Sequence, residues 1–323
     1  MRRRGQDVSD RVNDIKLFSL NSNPALTQEI AEYIGIEVGQ CSVKRFSDEE
    51  IQIAIDETVR GYDTYIVQST SEPGNEYLME LLITIDALKR ASAKTINIVM
   101  PYYGYSRQDR KANSREPITA KLIANLLESA GASRVISVDL HAPQVQGFYN
   151  IPVDQLKANW LLADYFKQKS LSDVVVVAPE NAGTARARSL ANELDAPIAL
   201  IDKQRTDEDF TVQGQYIIGE VEGKTAIIID DMIDTARTVT SGALALKEFG
   251  AKEVYGCCTH GVLSEPAVER IRESELKEIV ITNTIYQHEE KHDPKIISLS
   301  VASLLGEGIK RIQNNESVSS LFG

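Results

Sequence analysis

The sequence predicts an α/β protein whose mainly parallel sheets are covered by helices on both faces. Short β-branched or apolar runs alternate with segments of helical periodicity along the whole chain. These runs are continuously apolar, as strands buried on both faces require. A sequence pattern also recurs after about half of the 323 residues, so the chain is expected to hold two copies of one plan.

The expected strands are short and evenly spread. They cover residues 15–20, 64–68, 95–100, 134–139, 174–178, 198–201, 226–230 and 253–258. Helices are expected at 76–91, 118–130 and 240–249, where apolar residues recur at spacings of three and four. Pro117 is expected at the first helical position, and Gly131 and Gly250 at C-caps.

The repeated pattern is Ala-Leu-Lys-x-x-x-Ala-Lys, found at residues 87–94 and 245–252, an offset of 158. Both copies are expected to end a helix and lead into a strand. The strands expected at Ile15 and Val174 are likewise 159 residues apart. Chance is the alternative, because Ala, Leu and Lys are common helix formers. The matching positions favour duplication, with a boundary near 152–155, before a helix carrying Trp160.

Composition excludes several classes of protein. Lys and Arg number 35 against 47 Asp and Glu, and this net charge of −12 disfavours a nucleic-acid-binding surface. Cys41, Cys257 and Cys258 show neither a paired framework nor metal-ligand spacing. No apolar run approaches the ~20 residues that span a bilayer, and no signal-peptide pattern opens the chain. We expect a cytoplasmic enzyme with no membrane or nucleic-acid partner.

The sequence DDMIDTART, residues 230–238, follows an expected strand and precedes a helix. Ligands of open α/β sheets bind outside the carboxyl ends of strands, and a helix N-terminus offers free N–H groups to phosphate. Thr235 and Thr238 can add hydroxyl donors. Asp230 and Asp231 can accept from vicinal sugar hydroxyls or hold a hydrated Mg²⁺. The turn predicts a sugar-phosphate site; the alternative is an acidic turn that only caps the helix.

Basic residues occur in two further polar segments. The sequence RQDRK at 107–111 follows a strand and a tyrosine-rich stretch. Its cations can neutralise a triphosphate, Gln108 can contact a base edge, and the tyrosines can offer stacking surface. Lys203 and Arg205 open a polar stretch after another strand, where cations on a mobile loop can close over a phosphoryl group. Solvated surface turns are the alternative in both places.

Together these motifs resemble those of the class I ribose-phosphate pyrophosphokinases (PRPP synthetases). The resemblance extends from about Ile15 to the C-terminus and includes RFSDEE at 45–50, PYYGYSRQDRK at 101–111 and DLHAPQVQGF at 139–148. It implies two duplicated domains similar to type I phosphoribosyltransferases, each with a mainly parallel sheet flanked by helices. The expected limits are a mobile tail at 1–14, domains at 15–153 and 154–305, and a C-terminal helix and tail at 306–323 that packs on the N-terminal domain.

The implied reaction transfers the β,γ-diphosphoryl group of MgATP to the C1 hydroxyl of ribose 5-phosphate, giving PRPP and AMP. The residues implied to bind ATP are Phe46, Asp48, Glu49, Glu50, Arg107, Gln108 and Asp109. Those implied to bind ribose phosphate are Arg205, Asp230, Asp231, Asp234, Thr235, Ala236, Arg237 and Thr238. Lys203 and Arg205 are implied to be catalytic, and His141 and Glu180 to bind Mg²⁺. The resemblance also implies that Phe46, Asp48 and Glu50 complete a neighbouring subunit's adenine pocket, in a hexamer. It further implies ADP and inorganic phosphate as allosteric ligands.

The sequence departs from the family pattern at several positions. Glu49 and Arg237 stand where Gly is usual, Ala182 where Gly is common, and Glu180 where Asp is usual; Gln204 stands where Arg is usual. Arg237 matters most, because Gly in a phosphate-binding turn permits a positive φ. We expect Arg237 to crowd the phosphate, rather than to pair with it. The alternative function is therefore a weakly active or inactive paralogue that assembles with an active synthetase and regulates it. An ordinary phosphoribosyltransferase is disfavoured by the two-domain length and the ATP-type motif.

Overall fold

The computed structural model describes residues 14–205 and 212–321. Contacts divide the chain into two units. The first comprises Met1–Lys157, Thr284–Tyr286 and Ser300–Gly323, and the second comprises Ala158–Asn283 and Gln287–Leu299. None of the helices in the described part of the chain combines the length and apolar character needed to cross a bilayer.

The first unit is built on a parallel sheet. Its strands are β1 (Ile15–Ser19), β2 (Val38–Gly39), β5 (Asp63–Val67), β6 (Thr95–Met100), β7 (Arg134–Val138) and β8 (Val153–Leu156), with β3 (Cys41–Arg45) and β4 (Ile51–Ile55) forming a separate antiparallel hairpin. The sheet order is β2-β1-β5-β6-β7-β8, and all its neighbours are parallel. The helices between these strands are α1 (Pro24–Ile34), α2 (Gly74–Arg90) and α3 (Thr119–Ala130). The middle strands are mostly apolar and almost wholly buried, which is why helices cover the sheet.

The second unit repeats this plan. Its strands are β9 (Val174–Ala178), β10 (Ile198–Arg205), β11 (Val212–Ile218), β12 (Thr225–Ile233), β13 (Glu253–Gly261), β14 (Glu278–Thr282) and β15 (Ile296–Leu299). The helices are α4 (Asn159–Gln168), α5 (Thr184–Leu194), α6 (Arg237–Glu248) and α7 (Ala267–Glu273). The sheet order is β11-β10-β9-β12-β13-β14-β15, in which only the β10–β11 pair is antiparallel. Apolar side chains fill the space on both of its faces.

The two sheets share one strand order once the extra edge strand β11 is set aside. In both, the second strand along the chain lies at the edge, the first lies beside it, and the remaining four follow in sequence. Strands β6 and β13 begin at Thr95 and Glu253, 158 residues apart, and each follows the repeated Ala-Leu-Lys pattern. The topology therefore contains the duplication that the sequence predicts.

The last helix, α8 (Ala302–Asn314), belongs to the first unit. It packs on α1, where the Tyr33 hydroxyl donates to Glu307 at 3.2 Å and Lys310 Nζ donates to the Tyr33 carbonyl at 2.9 Å. It begins at residue 302, whereas the expected C-terminal segment starts at 306. The contact boundary also falls after Lys157 rather than 153, because β8 pairs with β7 through Leu156. The expected domain limits remain a proposal.

All the expected strands are present, and three continue well beyond their expected ends. Strand β10 continues to Arg205, β12 to Ile233 and β13 to Gly261. The expected position of Pro117 is wrong: α3 begins at Thr119, after an N-cap residue Ile118 with a non-helical φ of −113°. Gly131 is the C-cap of α3 with φ +127°, while Gly250 lies one residue beyond the C-cap of α6, with φ +86°.

Candidate active site

In the second unit, the acidic turn lies at the carboxyl end of β12, a central strand between β9 and β13. Asp230 and Asp231 are inside the strand, because β12 runs on to Ile233. The Asp231 side chain is 5% exposed and that of Asp230 is 29% exposed. Asp230 is therefore the more accessible of the two carboxylates.

An arginine joins these two carboxylates. Arg186, in the first turns of α5, places Nη1 3.1 Å from Asp230 Oδ1 and Nη2 3.4 Å from Asp231 Oδ1. The Asp231 amide also donates to Asp230 Oδ1 at 2.9 Å. Burial, and then the neighbouring Asp231 carboxylate, raise the pKa of Asp230 to about 7, which the Arg186 charge opposes. The pair is therefore held close together at an electrostatic cost.

The turn from Asp234 to Ala236 leads directly into α6, which begins at Arg237. The left-handed residue is Ala236, with φ 59° and ψ 1°, and Arg237 has an ordinary negative φ. The strain expected at Arg237 is therefore absent, because the positive φ falls one residue earlier. Arg237 is exposed at the start of the helix.

The turn presents groups suited to an anion. The first N–H groups of α6 have no partner within the helix, and the positive end of the helix dipole lies there. Thr235 and Thr238 are exposed beside them. Arg270 of α7 donates through Nη1 to the Thr235 carbonyl at 2.8 Å, which fixes the turn from its other side.

Lys203 and Arg205 lie in strand β10, where the sequence analysis expected a loop. Their backbone pairs with β11, with Lys203 opposite Gln215, Arg205 opposite Val212 and a register shift between them. The side chains of Lys203, Gln204 and Arg205, and the whole of residues 206–211, are outside the described part of the chain. Their roles stay a prediction.

In the first unit, the segment 101–111 leaves the carboxyl end of β6. Its tyrosines are mostly structural: Tyr102 and Tyr103 are 6% and 2% exposed, so neither offers the expected stacking surface. Tyr103 donates to the Ala120 carbonyl at 3.2 Å and accepts from the Tyr149 hydroxyl at 2.8 Å. The Gly104 amide donates to Thr70 Oγ1 at 2.7 Å, which ties the segment to the end of β5.

The polar residues at the end of this segment, from Arg107 onward, are largely exposed and contact the loop that follows β7. Arg107 and Gln108 are exposed, and the Thr119 hydroxyl donates to Gln108 Oε1. Gln144 Nε2 donates to Asp109 Oδ2 at 2.6 Å. Gln144 and His141 belong to the loop that follows β7, so the structure brings the basic motif and the histidine loop together.

The hairpin residues form an exposed tip between β3 and β4. Phe46 is 50% exposed, a large fraction for an aromatic side chain, and Asp48, Glu49 and Glu50 are also exposed. The Phe46 amide donates to the Glu50 carbonyl at 2.9 Å and closes the tip. Glu49 adopts φ 69°, so this departure from glycine does occupy a left-handed position.

The expected metal ligands lie in different units. His141 is exposed in the loop after β7, and Glu180 is exposed directly after β9. Among the described residues, no three His, Cys, Asp or Glu side chains gather closely enough to hold an ion by themselves. Mg²⁺ is commonly held by one or two protein ligands together with substrate phosphates and water. Single exposed ligands of this kind fit such an ion.

Sequence reasoning missed three residues that organise these loops: Arg186, Arg270 and Gln144. Each reaches its partner from a distant part of the chain, 44, 35 and 35 residues away respectively. The sequence TARAR at 184–188 gives only a weak signal, two arginines soon after a strand end.

Comparisons with known proteins cover nearly the whole chain. Residues 15–131 match the model of the N-terminal domain of ribose phosphate pyrophosphokinase, and residues 213–323 match the phosphoribosyl synthetase-associated domain. A ribose-phosphate pyrophosphokinase of Bacillus caldolyticus is 62% identical over 98% of this chain and 100% of its own length. That of Corynebacterium ammoniagenes is 60% identical over 96% and 98%. The crystal structure of phosphoribosylpyrophosphate synthetase from Mycobacterium smegmatis superposes with a TM-score of 0.88 at 41% identity, covering 93% of this chain and 99% of that one.

Proposed function

The chain belongs to the ribose-phosphate pyrophosphokinase family, and we propose that it transfers the β,γ-diphosphoryl group of ATP to ribose 5-phosphate. The C1 oxygen of the sugar forms a bond to the β-phosphorus, the bond from that phosphorus to the α,β-bridging oxygen breaks, and AMP leaves. The C1 hydroxyl loses its proton to the solvent, and PRPP and AMP are the products. The single observation that carries this proposal is the turn 234–238, where a helix begins directly after a strand that carries two neighbouring carboxylates.

The second unit supplies the groups for the sugar phosphate. We assign the 5-phosphate to the amides at the start of α6 and to the hydroxyls of Thr235 and Thr238. Asp230 and Asp231 then accept hydrogen bonds from the vicinal hydroxyls of the ribose. Asp234 and Ala236 shape the turn, and Arg237 adds positive charge at its edge.

The first unit supplies the groups for the nucleotide. Arg107 pairs with phosphate oxygens, and Gln108 offers its amide N–H groups, because its Oε1 already accepts from Thr119. Asp109 fixes the neighbouring loop through Gln144. His141 and Glu180 would hold Mg²⁺ together with ATP, and the ion would neutralise phosphate charge. Lys203 and Arg205 are assigned to the charge that develops during transfer.

Three further assignments rest on the family resemblance and on exposure. The exposed tip with Phe46 and residues 48–50 suits a contact that completes an adenine pocket in a neighbouring subunit, within a hexamer. ADP and inorganic phosphate are proposed as allosteric ligands between subunits, and the cytoplasm as the location.

The alternative function, a regulatory paralogue, gains no support. Relatives at 60–62% identity over nearly the full chain are named as the enzyme. The backbone strain at Arg237 that favoured this alternative is also absent. No observation on the described residues therefore supports a paralogous partner subunit.

The test is an assay of the purified protein alone with ribose 5-phosphate, ATP and Mg²⁺, in which AMP is measured. AMP should form only with the sugar phosphate and should disappear when Mg²⁺ is chelated. Lys203→Ala should lower kcat by ~10²–10³, as loss of one transition-state donor does, with little change in nucleotide binding. The exposed Lys252→Ala is the control. A well-folded wild type that forms no AMP would refute the proposed function.

A further inference from the structure

Arg186 contacts both carboxylates of the proposed sugar site, and each contact ends on the Oδ1 atom. Its two terminal nitrogens lie 3.1 and 3.4 Å from the Oδ1 atoms of Asp230 and Asp231. The hydrogen bonds that Asp230 accepts within the described structure, from Arg186 and from the Asp231 amide, both end on Oδ1. Neither of these N–H donors ends on Asp230 Oδ2, and 29% of the side chain is exposed, so Oδ2 is the oxygen that we assign to a ligand.

The contact solves a problem that the acid pair creates. Two adjacent carboxylates repel each other, and burial adds to the cost of charging them, as the raised pKa of Asp230 records. A guanidinium group is planar and carries N–H donors in a fixed fork, so one side chain can orient two carboxylates at once. A lysine provides the charge but not the fork.

The contact is not required to attach α5 to the sheet. That helix buries Ala187, Leu190 and Ala191 against the apolar face of the second sheet. Arg186 instead lies on the side of α5 that reaches the end of β12, with 29% of its side chain exposed. Its neighbour Arg188 is exposed on the same helix and offers a matched control.

We propose that Arg186 is a positioning residue for ribose recognition. It holds the Oδ1 atoms of Asp230 and Asp231. Asp230 Oδ2 can then accept a hydrogen bond from a vicinal hydroxyl of the sugar. This inference rests on the proposed function, because it assigns a sugar to that carboxylate pair. It makes Arg186 a determinant of the preference for ribose over deoxyribose, although Arg186 itself need not touch the substrate.

The test compares ribose 5-phosphate with 2-deoxyribose 5-phosphate in wild type, Arg186→Gln, Arg186→Lys and the control Arg188→Gln. A site built to bond a hydroxyl discriminates against the analogue that lacks it. Arg186→Gln should lower kcat/KM for ribose 5-phosphate by about tenfold to a hundredfold, the loss expected for one charged hydrogen bond. The loss should appear mainly in KM for the sugar, with KM for ATP unchanged. For the deoxy sugar the loss should be clearly smaller, so the preference falls.

The conservative variant separates positioning from charge. Arg186→Lys should keep part of the preference, and Arg188→Gln should behave as wild type. If Arg186→Gln slows both sugars equally, or leaves the preference unchanged, the inference is wrong and the contact is only structural. If Arg186→Gln fails to fold, the preference of Arg186→Lys decides, and a value equal to wild type overturns the inference.

Calorimetric titration with the two sugar phosphates measures the preference for ribose over deoxyribose as a difference in binding affinity, without catalysis. A wild type that binds ribose 5-phosphate more tightly than the deoxy sugar but forms no AMP would refute the proposed reaction and leave this inference standing. A wild type that binds the two equally would overturn the inference, whatever its activity.

Discussion

Replacing Gly104 with alanine should displace the segment that we propose to bind the nucleotide. A Cβ atom at this position would lie 2.3 Å from the Thr70 carbonyl oxygen and 2.9 Å from its Oγ1. Ordinary contacts need more than 3 Å, so the segment must move by about 1 Å or the Gly104–Thr70 hydrogen bond must break. Such overpacking costs ~1–3 kcal/mol, and a displacement of ~1 Å near reacting groups can cost ~10²-fold in rate.

The assay is steady-state kinetics with thermal unfolding as a second measurement. Arg107 follows Gly104 by three residues, so KM for ATP should rise by about tenfold or more, with a much smaller change in KM for ribose 5-phosphate. The control is Gly74→Ala at the first position of α2, where an added Cβ has no atom within 4 Å. Wild-type ATP kinetics and melting temperature in Gly104→Ala would refute the steric reasoning.

Three further changes test the turn, the acid pair and the hairpin. Arg237→Gly relieves no backbone strain and removes a cation, so titration with ribose 5-phosphate should show equal or weaker binding; tighter binding would contradict the assignment of φ to Ala236. Asp230→Asn should raise the melting temperature at pH 8 more than at pH 5. A carboxyl whose pKa is 3.8 in the unfolded chain and about 7 in the folded protein destabilises the folded protein as the pH increases through that range, by at most about 4 kcal/mol. An equal gain in melting temperature at pH 5 and pH 8 would contradict this. Glu49→Gly should stabilise the protein by up to ~1 kcal/mol, because it removes a glutamate with left-handed backbone and loses only one weak, exposed ion pair, with Arg45. A clear loss of stability would contradict this.

Apolar, continuous strands were predictable because their burial on both faces leaves a plain pattern in the sequence. Several of the strands that were missed are short: β2 has two residues, and β8 and β15 have four each. Strand β14 was missed although four of its five residues are buried. Helix α8 begins at Ala302, four residues before the expected C-terminal segment, and it contains Gly306 and Gly308, which weaken a helical pattern. Packing explains the first of these glycines: a Cβ at Gly306 would lie 2.5 Å from the Tyr33 ring, so only glycine permits this contact with α1.

The position of the polar turns at one edge of each sheet was predictable because parallel strands bring their carboxyl ends together there. The residues that orient those turns were not. Arg186, Arg270 and Gln144 act through contacts between segments 35 to 44 residues apart, and no local pattern marks which exposed polar side chain will make such a contact. The backbone conformation of a single turn residue was equally hidden, which is why strain was expected one residue too late.

The departures from the family pattern can now be ordered by what the backbone requires at each position. Ala182 and Arg237 both have negative φ, so neither residue needs the freedom of glycine. Glu180 is extended, with φ −162°, and its side chain is exposed, so an added methylene meets no packed neighbour. Only Glu49 is left-handed, and it lies on an exposed hairpin tip. Within the turn proposed to bind the sugar phosphate, the left-handed residue is Ala236, 4% exposed, where a larger side chain would have to enter the core. The shape of that turn therefore depends on the small size of residue 236, and an arginine at 237 leaves it intact.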